Sequence, residues 1–199
     1  MARIKLIDPE KFDDDPVIKG ICSWVTEMEG RIPNHFKIEL NFPEFFKAKL
    51  GATKVLWEMG ELSIGEIQYI GIAVSRANQC PYCTAAFSTI LTHGLKVDDQ
   101  YAQQYIEKGS AVIEDPRTRH LVEFALKVNS EAFKTTDEDI DQLRALGLTD
   151  KGILQLIHLV SDFTSYNQLN LALDTDYDYR EVWKELAFSV FSINEKNID

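Results

Sequence analysis

Cys80, Pro81, Tyr82 and Cys83 set two thiols two residues apart, and the residues around them read as the mouth of a helix. Asn78 and Gln79 interrupt an apolar run, and Pro81 suits the first turn of a new helix, where its missing N–H costs little. Cys80 then falls near the N-cap and Cys83 within the first turn. Thiolate is the reactive form of cysteine, and a helix N-terminus favours negative charge, so both thiols are predicted to ionise more readily than free cysteine. The two-residue gap brings the sulfurs onto one side of that turn, close enough for a disulfide. A redox pair is the leading expectation. Half of a zinc site and a structural pair are the alternatives; zinc needs four ligands, and beyond the pair only Cys22 and four scattered histidines remain.

The elements that must hold this pair read as helices. Ser63 followed by Glu66 has the form of a capping box, and Ile64, Ile67, Ile70, Val74 and Ala77 recur at helical spacing behind it. Before that helix, residues 1–16 read as a polar arm, with Asp13 to Asp15 capping a helix that Pro16 opens and that runs from Val17 to Met28. Residues 31–37 read as a bend. Pro43 then opens a helix to Gly60 with Phe45, Phe46, Leu50, Val55, Leu56 and Met59 as its apolar residues. After the stop at His93 and Gly94, helices are predicted from Asp98 or Asp99 to Lys108, from Pro116 past Val128, and from Ile140 to Leu146. A long one follows from Thr149 to Leu173, and a last one from Tyr179 to Ile193, burying Val182, Trp183, Leu186, Ala187, Val190 and Phe191. No segment alternates with a period of two, so the fold class is all-α. Residues 1–50 read as an arm and helices packing on a core formed by 51–199, one unit overall. Shifting the chain by 86 lays Leu62-Ser63 over Leu148-Thr149, Ile67 over Ile153 and Val74-Ser75 over Val160-Ser161. The two helices are therefore expected to play similar packing roles.

With a net charge of −11 over 199 residues, the chain is a poor match for nucleic acid or an anionic membrane, since both require basic patches. No apolar run is long enough to span a bilayer, and the N-terminus lacks the core of a signal peptide. A reducing cytoplasm is the expected location, where a Cys-x-x-Cys is more often catalytic than structural. Cys22, in an apolar stretch, is expected in the core.

Leu62 to Gly94 resembles the carboxymuconolactone decarboxylase-like superfamily on its alkylhydroperoxidase D-like branch. The residues that carry the likeness are Leu62-Ser63, the run Ile72 to Asn78, Cys80-x-Tyr82-Cys83 and Gly94, supported by Ile32 to Phe36 before the motif and Tyr166, Asn167 and Asn170 after it. The resemblance implies a helical bundle that assembles as a homo-oligomer, a trimer or hexamer. It implies a hydroperoxide substrate, attack by Cys83, and resolution of the resulting sulfenic acid by Cys80. No bound cofactor or metal is implied; a dithiol-donor protein, lipoyl-bearing or thioredoxin-like, restores the thiols. Protein thiol–disulfide exchange and a non-enzymatic redox sensor are the alternative readings. The decarboxylase branch is a further one, for which the acidic chain offers no anion-binding cluster.

The family's proton relay is missing. Its glutamate and histidine positions, twelve residues before the first cysteine and four after the second, hold Gln68 and Phe87. Neither side chain accepts a proton at neutral pH. Glu66 lies about 200° round the helix from Gln68, and its capping role explains it. His158, inside the apolar run 153–160, is a candidate to face the thiols, or else to bond a backbone carbonyl or Asp162. Tyr82 is a candidate donor to a thiolate or peroxide oxygen, or a packing residue. His93 reads as a charge at a helix C-terminus, His35 and His120 as bend and flank residues, and Asn167 and Asn170 as bonds across a helix interface.

Overall fold

The structure, a computed structural model, describes residues 1–195, with side chains placed through 189. Proline and acidic or hydroxyl caps fix where its helices begin. Asp15 accepts from the N–H groups of Val17 and Ile18 at the start of α1 (Pro16–Glu29), which ends in left-handed Gly30, φ 78°. After α2 (Asn34–Glu39) and α3 (Pro43–Glu58), Ser63 and Glu66 form both halves of the expected capping box on α4 (Ile64–Ala77). The thiol helix α5 (Pro81–Thr89) runs into a π turn at Ile90–Gly94. Aspartates 98 and 115 cap α6 (Asp99–Lys108) and α7 (Pro116–Glu131). Thr136 and Thr149 cap α8 (Asp137–Ala145) and α9 (Asp150–Leu173), and α10 (Glu181–Glu195) closes the chain. Among the described residues there is no strand.

The core is built around α4. Ile67, Ile70, Ile72 and Val74 are fully buried, because α5, α7 and α9 pack on different sides of it. A smaller apolar cluster joins Ile18, Ile21 and Val25 of α1 to Phe36, Leu40, Phe46 and Leu50. Trp24 packs edge-on against Trp57, 5.6 Å between ring centres, and links the two clusters. The arm is tied down, with the Arg3 N–H bonded to the Leu173 carbonyl at 2.8 Å. Helix α3 runs unbroken across position 50, as the expected helix from Pro43 to Gly60 does.

Several expectations need correction. The bend over 31–37 contains most of α2, which Pro33 opens from an extended conformation. Phe45, Val55 and Met59 are exposed, while Phe46, Leu50 and Trp57 supply the buried face of α3. Cys22 is half-buried. Trp183 and Ala187 are buried as expected; Val190 and Phe191 lie outside the described side chains.

Candidate functional site

The break between α4 and α5 makes the site. Gln79 adopts a left-handed φ of 54°, and the Cys80 N–H turns back to the Ser75 carbonyl at 2.9 Å. Cys80 becomes the N-cap of α5, its sulfur accepting from the Cys83 N–H at 3.3 Å. The two sulfurs stand 2.8 Å apart. Both cysteines are free, and the thiols are close enough for one to donate to the other.

The environment splits the roles. Burial pushes the Cys80 thiol well up, and the neighbouring Cys83 pushes it further. Burial also opposes ionisation of Cys83, but the Cys80 S–H, the amides of Asn167 and Asn170 and the charge of Lys49 outweigh it, and its pKa is lowered. Asn170 Nδ2 lies 3.3 Å from the Cys83 sulfur. Asn167 is held by donating to Ser75 Oγ at 3.0 Å and accepting from Asn78 Nδ2 at 2.9 Å. Lys49 sits 3.5 Å above the Tyr166 ring and pairs with buried Glu39. Of the two thiols, Cys83 is the one whose ionisation its surroundings favour, and Cys80 the one whose ionisation they oppose.

Cys83 borders a cavity of about 50 Å³ walled mainly by Trp24, Phe36, Trp57, Phe87, Phe163 and Tyr166. Phe87, at the histidine position of the family relay, forms one wall. Its ring packs against Phe163 at 4.6 Å and so close over Gly71 that a Cβ there would come within 2.5 Å. Besides Asn170 and the two tyrosines, Tyr82 and Tyr166, the polar side chains of His35, Glu29 and Thr53 reach the same cavity. Burial, with Lys49 and Arg31 nearby, depresses His35 to about 3, so its ring is neutral. Among the described residues, His35 Nδ1 and Asn170 Oδ1 are buried with no hydrogen-bond partner. Glu29 is buried and pushed up to about 8, chiefly by burial; Tyr179 and Arg31 oppose the shift and Asp178 adds to it. Cys80 faces the other way, onto a separate cleft of about 260 Å³ bordered by Met1, Asp174, Asp176 and Lys184.

The other expected site residues fall elsewhere. Tyr82 lines the cavity, but its hydroxyl proton goes to Asp178 Oδ1 at 2.7 Å while its oxygen accepts from the His35 N–H at 3.1 Å. It braces the fold and has no proton left for a thiolate. His158 is exposed on α9 and does not face the thiols. Leu154, one turn before it, is exposed too, so the apolar run carries an outward stripe. Gln68 is buried and bonds the Ile64 carbonyl at 3.3 Å. Glu66 keeps its cap and pairs with Arg117 at 2.7 Å. Asn170 bonds a sulfur rather than only bridging helices. No cluster of three His, Cys, Asp or Glu among the described residues is arranged to hold a metal, and no described helix is long and apolar enough to cross a membrane.

The sequence reading missed His35, Glu29 and Lys49. A signal existed for Glu29: Ile18, Ile21, Val25 and Glu29 follow one another at three- and four-residue steps, so the carboxyl sits on the buried stripe of α1. His35 was marked only by its place in the Ile32 to Phe36 stretch that supports the resemblance, and no comparable signal marked Lys49.

No protein-family description and no curated protein matches the chain, but solved structures do. The alkylhydroperoxidase AhpD core of an uncharacterized peroxidase-related protein from Ralstonia eutropha JMP134 superposes with a TM-score of 0.78 at 26% identity, covering 94% of this chain and 96% of that one. An uncharacterized peroxidase-related protein from Silicibacter sp. TM1040 gives 0.76 at 23% identity, over 89% and 92%. The debrominase Bmp8, in complex with 2,3,4-tribromopyrrole, gives 0.74 at 17% identity, over 96% and 100%, a likeness of fold. The chain is thus an all-helical protein with the alkylhydroperoxidase D-like fold of these peroxidase-related structures, carrying a Cys-x-x-Cys pair at Cys80 and Cys83, which is consistent with the carboxymuconolactone decarboxylase-like superfamily.

Proposed function

We infer that this chain is a thiol-dependent hydroperoxide reductase. The observation that carries the reading is the Cys83 sulfur, favoured as thiolate, facing a small apolar cavity 2.8 Å from a thiol that can resolve it. Cys83 attacks one peroxide oxygen; an S–O bond forms, the O–O bond breaks, and the leaving alkoxide takes a proton to become an alcohol. Cys80 then attacks the sulfur of the sulfenic acid, the S–S bond forms and water leaves. An external dithiol, lipoyl-bearing or thioredoxin-like, returns both thiols and is itself oxidised. The apolar walls suit an organic hydroperoxide, whose O–OH would meet the unpaired polar atoms of His35 and Asn170. The cleft on the Cys80 side, away from the substrate, is where the reductant would approach. Exposed Phe42, Phe45, Val55 and Met59 offer apolar surface for the homo-oligomer this reading includes.

The test is a single turnover of pre-reduced protein with an alkyl hydroperoxide. Cys83→Ser should lose at least about 1,000-fold in rate, on the scale of removing a nucleophile, while Cys80→Ser should stall as a sulfenic acid trappable with dimedone. Undiminished turnover in Cys83→Ser ends the reading. A second reading, reductive dehalogenation of a small haloaromatic, is favoured by the aromatic cavity walls: the ring loses halide and gains hydrogen while the dithiol becomes a disulfide. Halide release in place of peroxide consumption would select it. Insulin reduction without either would select protein disulfide exchange.

A further inference from the structure

Heterolysis of an O–O bond inside an apolar cavity needs an acid, because an alkoxide cannot leave into such a site uncompensated. The cavity holds few candidates. Cys83 is the attacking sulfur of the hydroperoxide-reductase reading, its pKa lowered by its neighbours; His35 is a neutral ring, and the Tyr82 proton is committed to Asp178. The Tyr166 hydroxyl is made a weaker acid still by burial. Glu29 is the one carboxyl that lines the cavity, and burial keeps it protonated through neutral pH.

Its position has a second feature. Among the described residues, Glu29 alone borders both the Cys83 cavity and a neighbouring cleft of about 320 Å³. That cleft is polar, bordered by Thr89, Thr92, His93, Lys96, Asp99 and Arg180. One carboxyl therefore separates the dry chamber from a polar one. Tyr179 donates to Glu29 Oε2 at 2.6 Å and fixes its orientation, and the end of α1 at Gly30 anchors its backbone. The charged groups around it are Arg31 and Asp178 on one side and His93, Lys96, Asp99 and Arg180 across the cleft.

We propose that Glu29 is the proton donor of the peroxide step, standing in from a different helix for the relay that Gln68 and Phe87 lack, and that it is recharged from the polar cleft. The proposal rests on the hydroperoxide-reductase reading. As the Cys83 S–O bond forms and the O–O bond breaks, the Glu29 carboxyl passes its proton to the departing oxygen, giving an alcohol and a carboxylate. Water in the cleft returns the proton before the next turnover.

Glu29→Gln keeps shape and hydrogen bonding but has no acid proton. In single turnovers, kcat/KM for an alkyl hydroperoxide should fall about 100-fold or more. Reduction of peracetic acid, whose carboxylate leaves without a proton, should fall by no more than a few-fold, as should alkylation of Cys83 by iodoacetamide. The wild-type alkyl hydroperoxide rate should rise as Cys83 ionises and fall again as pH passes about 8; in Glu29→Gln the fall should vanish. Equal losses with all three reagents would make Glu29 structural, and no loss with any, or a wild-type profile without a basic limb, would equally overturn the proposal. Wild-type protein inert toward hydroperoxide would instead sink the reading beneath it, and this assignment with it. Should Glu29→Gln fail to fold, Tyr179→Phe decides: it removes a bond that holds the carboxyl pKa down, so the basic limb should move to higher pH, and an unmoved limb overturns the assignment.

Discussion

Helices α4 and α9 start alike and end differently. Ser63 Oγ accepts from the Glu66 N–H and Thr149 Oγ1 from the Lys151 N–H, each at 3.2 Å, and Gln155 of α9 accepts from the N–H groups of Glu61 and Leu62 just ahead of α4. Asn78 and Thr164, the spacing of 86 apart that aligns the two helices, touch at 3.4 Å. One residue later the paths diverge. At Gln79 the first rod breaks, and the break creates a new helix mouth that displays two thiols. At the matching Ser165 the second rod continues to Leu173. Its extra turns place Asn167 and Asn170 on one face beside Cys83. The contrast teaches that this site needs one rod broken and its partner whole: the first supplies the sulfur, the second the amide donors that lower its pKa.

The clamp between the rods should give the largest effect on stability. Asn167 is buried, and its amide satisfies Ser75 and Asn78 across the interface. Asn167→Leu strands Ser75 Oγ, while Asn78 keeps its bonds to Asn129 and Thr164, so a loss of about 1–3 kcal/mol is expected, the cost of one unsatisfied buried group. Urea unfolding measures it; a loss below about 1 kcal/mol would mean the two rods are held by apolar packing alone.

A smaller effect is expected one turn on. Asn170 donates to the Cys83 sulfur and to no other side chain shown here, so Asn170→Leu acts on the thiolate more than on the fold. Hydrogen bonds to a charged group contribute roughly 1.5–3 kcal/mol, and a pKa unit corresponds to about 1.4. The sign follows from the state each side favours: the amide stabilises the anion and holds the pKa down, so its removal raises it. The pH midpoint of Cys83 alkylation should move up by about one unit. An unchanged midpoint would assign the lowered pKa to Cys80, Asn167 and Lys49 instead.

The element boundaries were legible because proline, aspartate and hydroxyl caps act locally, within one turn of the residue that makes them. The thiol placement was legible for the same reason. What failed depended on which face of a helix meets which neighbour. His158 looked buried because it sits in an aliphatic run, yet Leu154 and His158 share the outward face of α9. Glu29 fell just past the predicted end of its helix at Met28, although it continues the stripe through Ile18 and Val25. Lys49 and His35 meet only through the docking of α2 and α3 around Tyr166, a contact that no local pattern in the chain encodes.

The smallest prediction bears directly on the break. Gln79 is exposed and left-handed, a conformation that costs a residue with a Cβ roughly 1–2 kcal/mol and glycine almost nothing. Ser165, its counterpart in α9, is exposed in the middle of a continuous helix, where glycine is unfavourable by a few tenths of a kcal/mol relative to serine. The same substitution should therefore have opposite signs at the two positions. Gln79→Gly should stabilise by about 0.5–1 kcal/mol and Ser165→Gly should destabilise by about 0.5 kcal/mol, both read from urea midpoints at constant slope. If Gln79→Gly destabilises as well, the left-handed turn is held by the glutamine side chain, and the break owes its shape to more than backbone geometry.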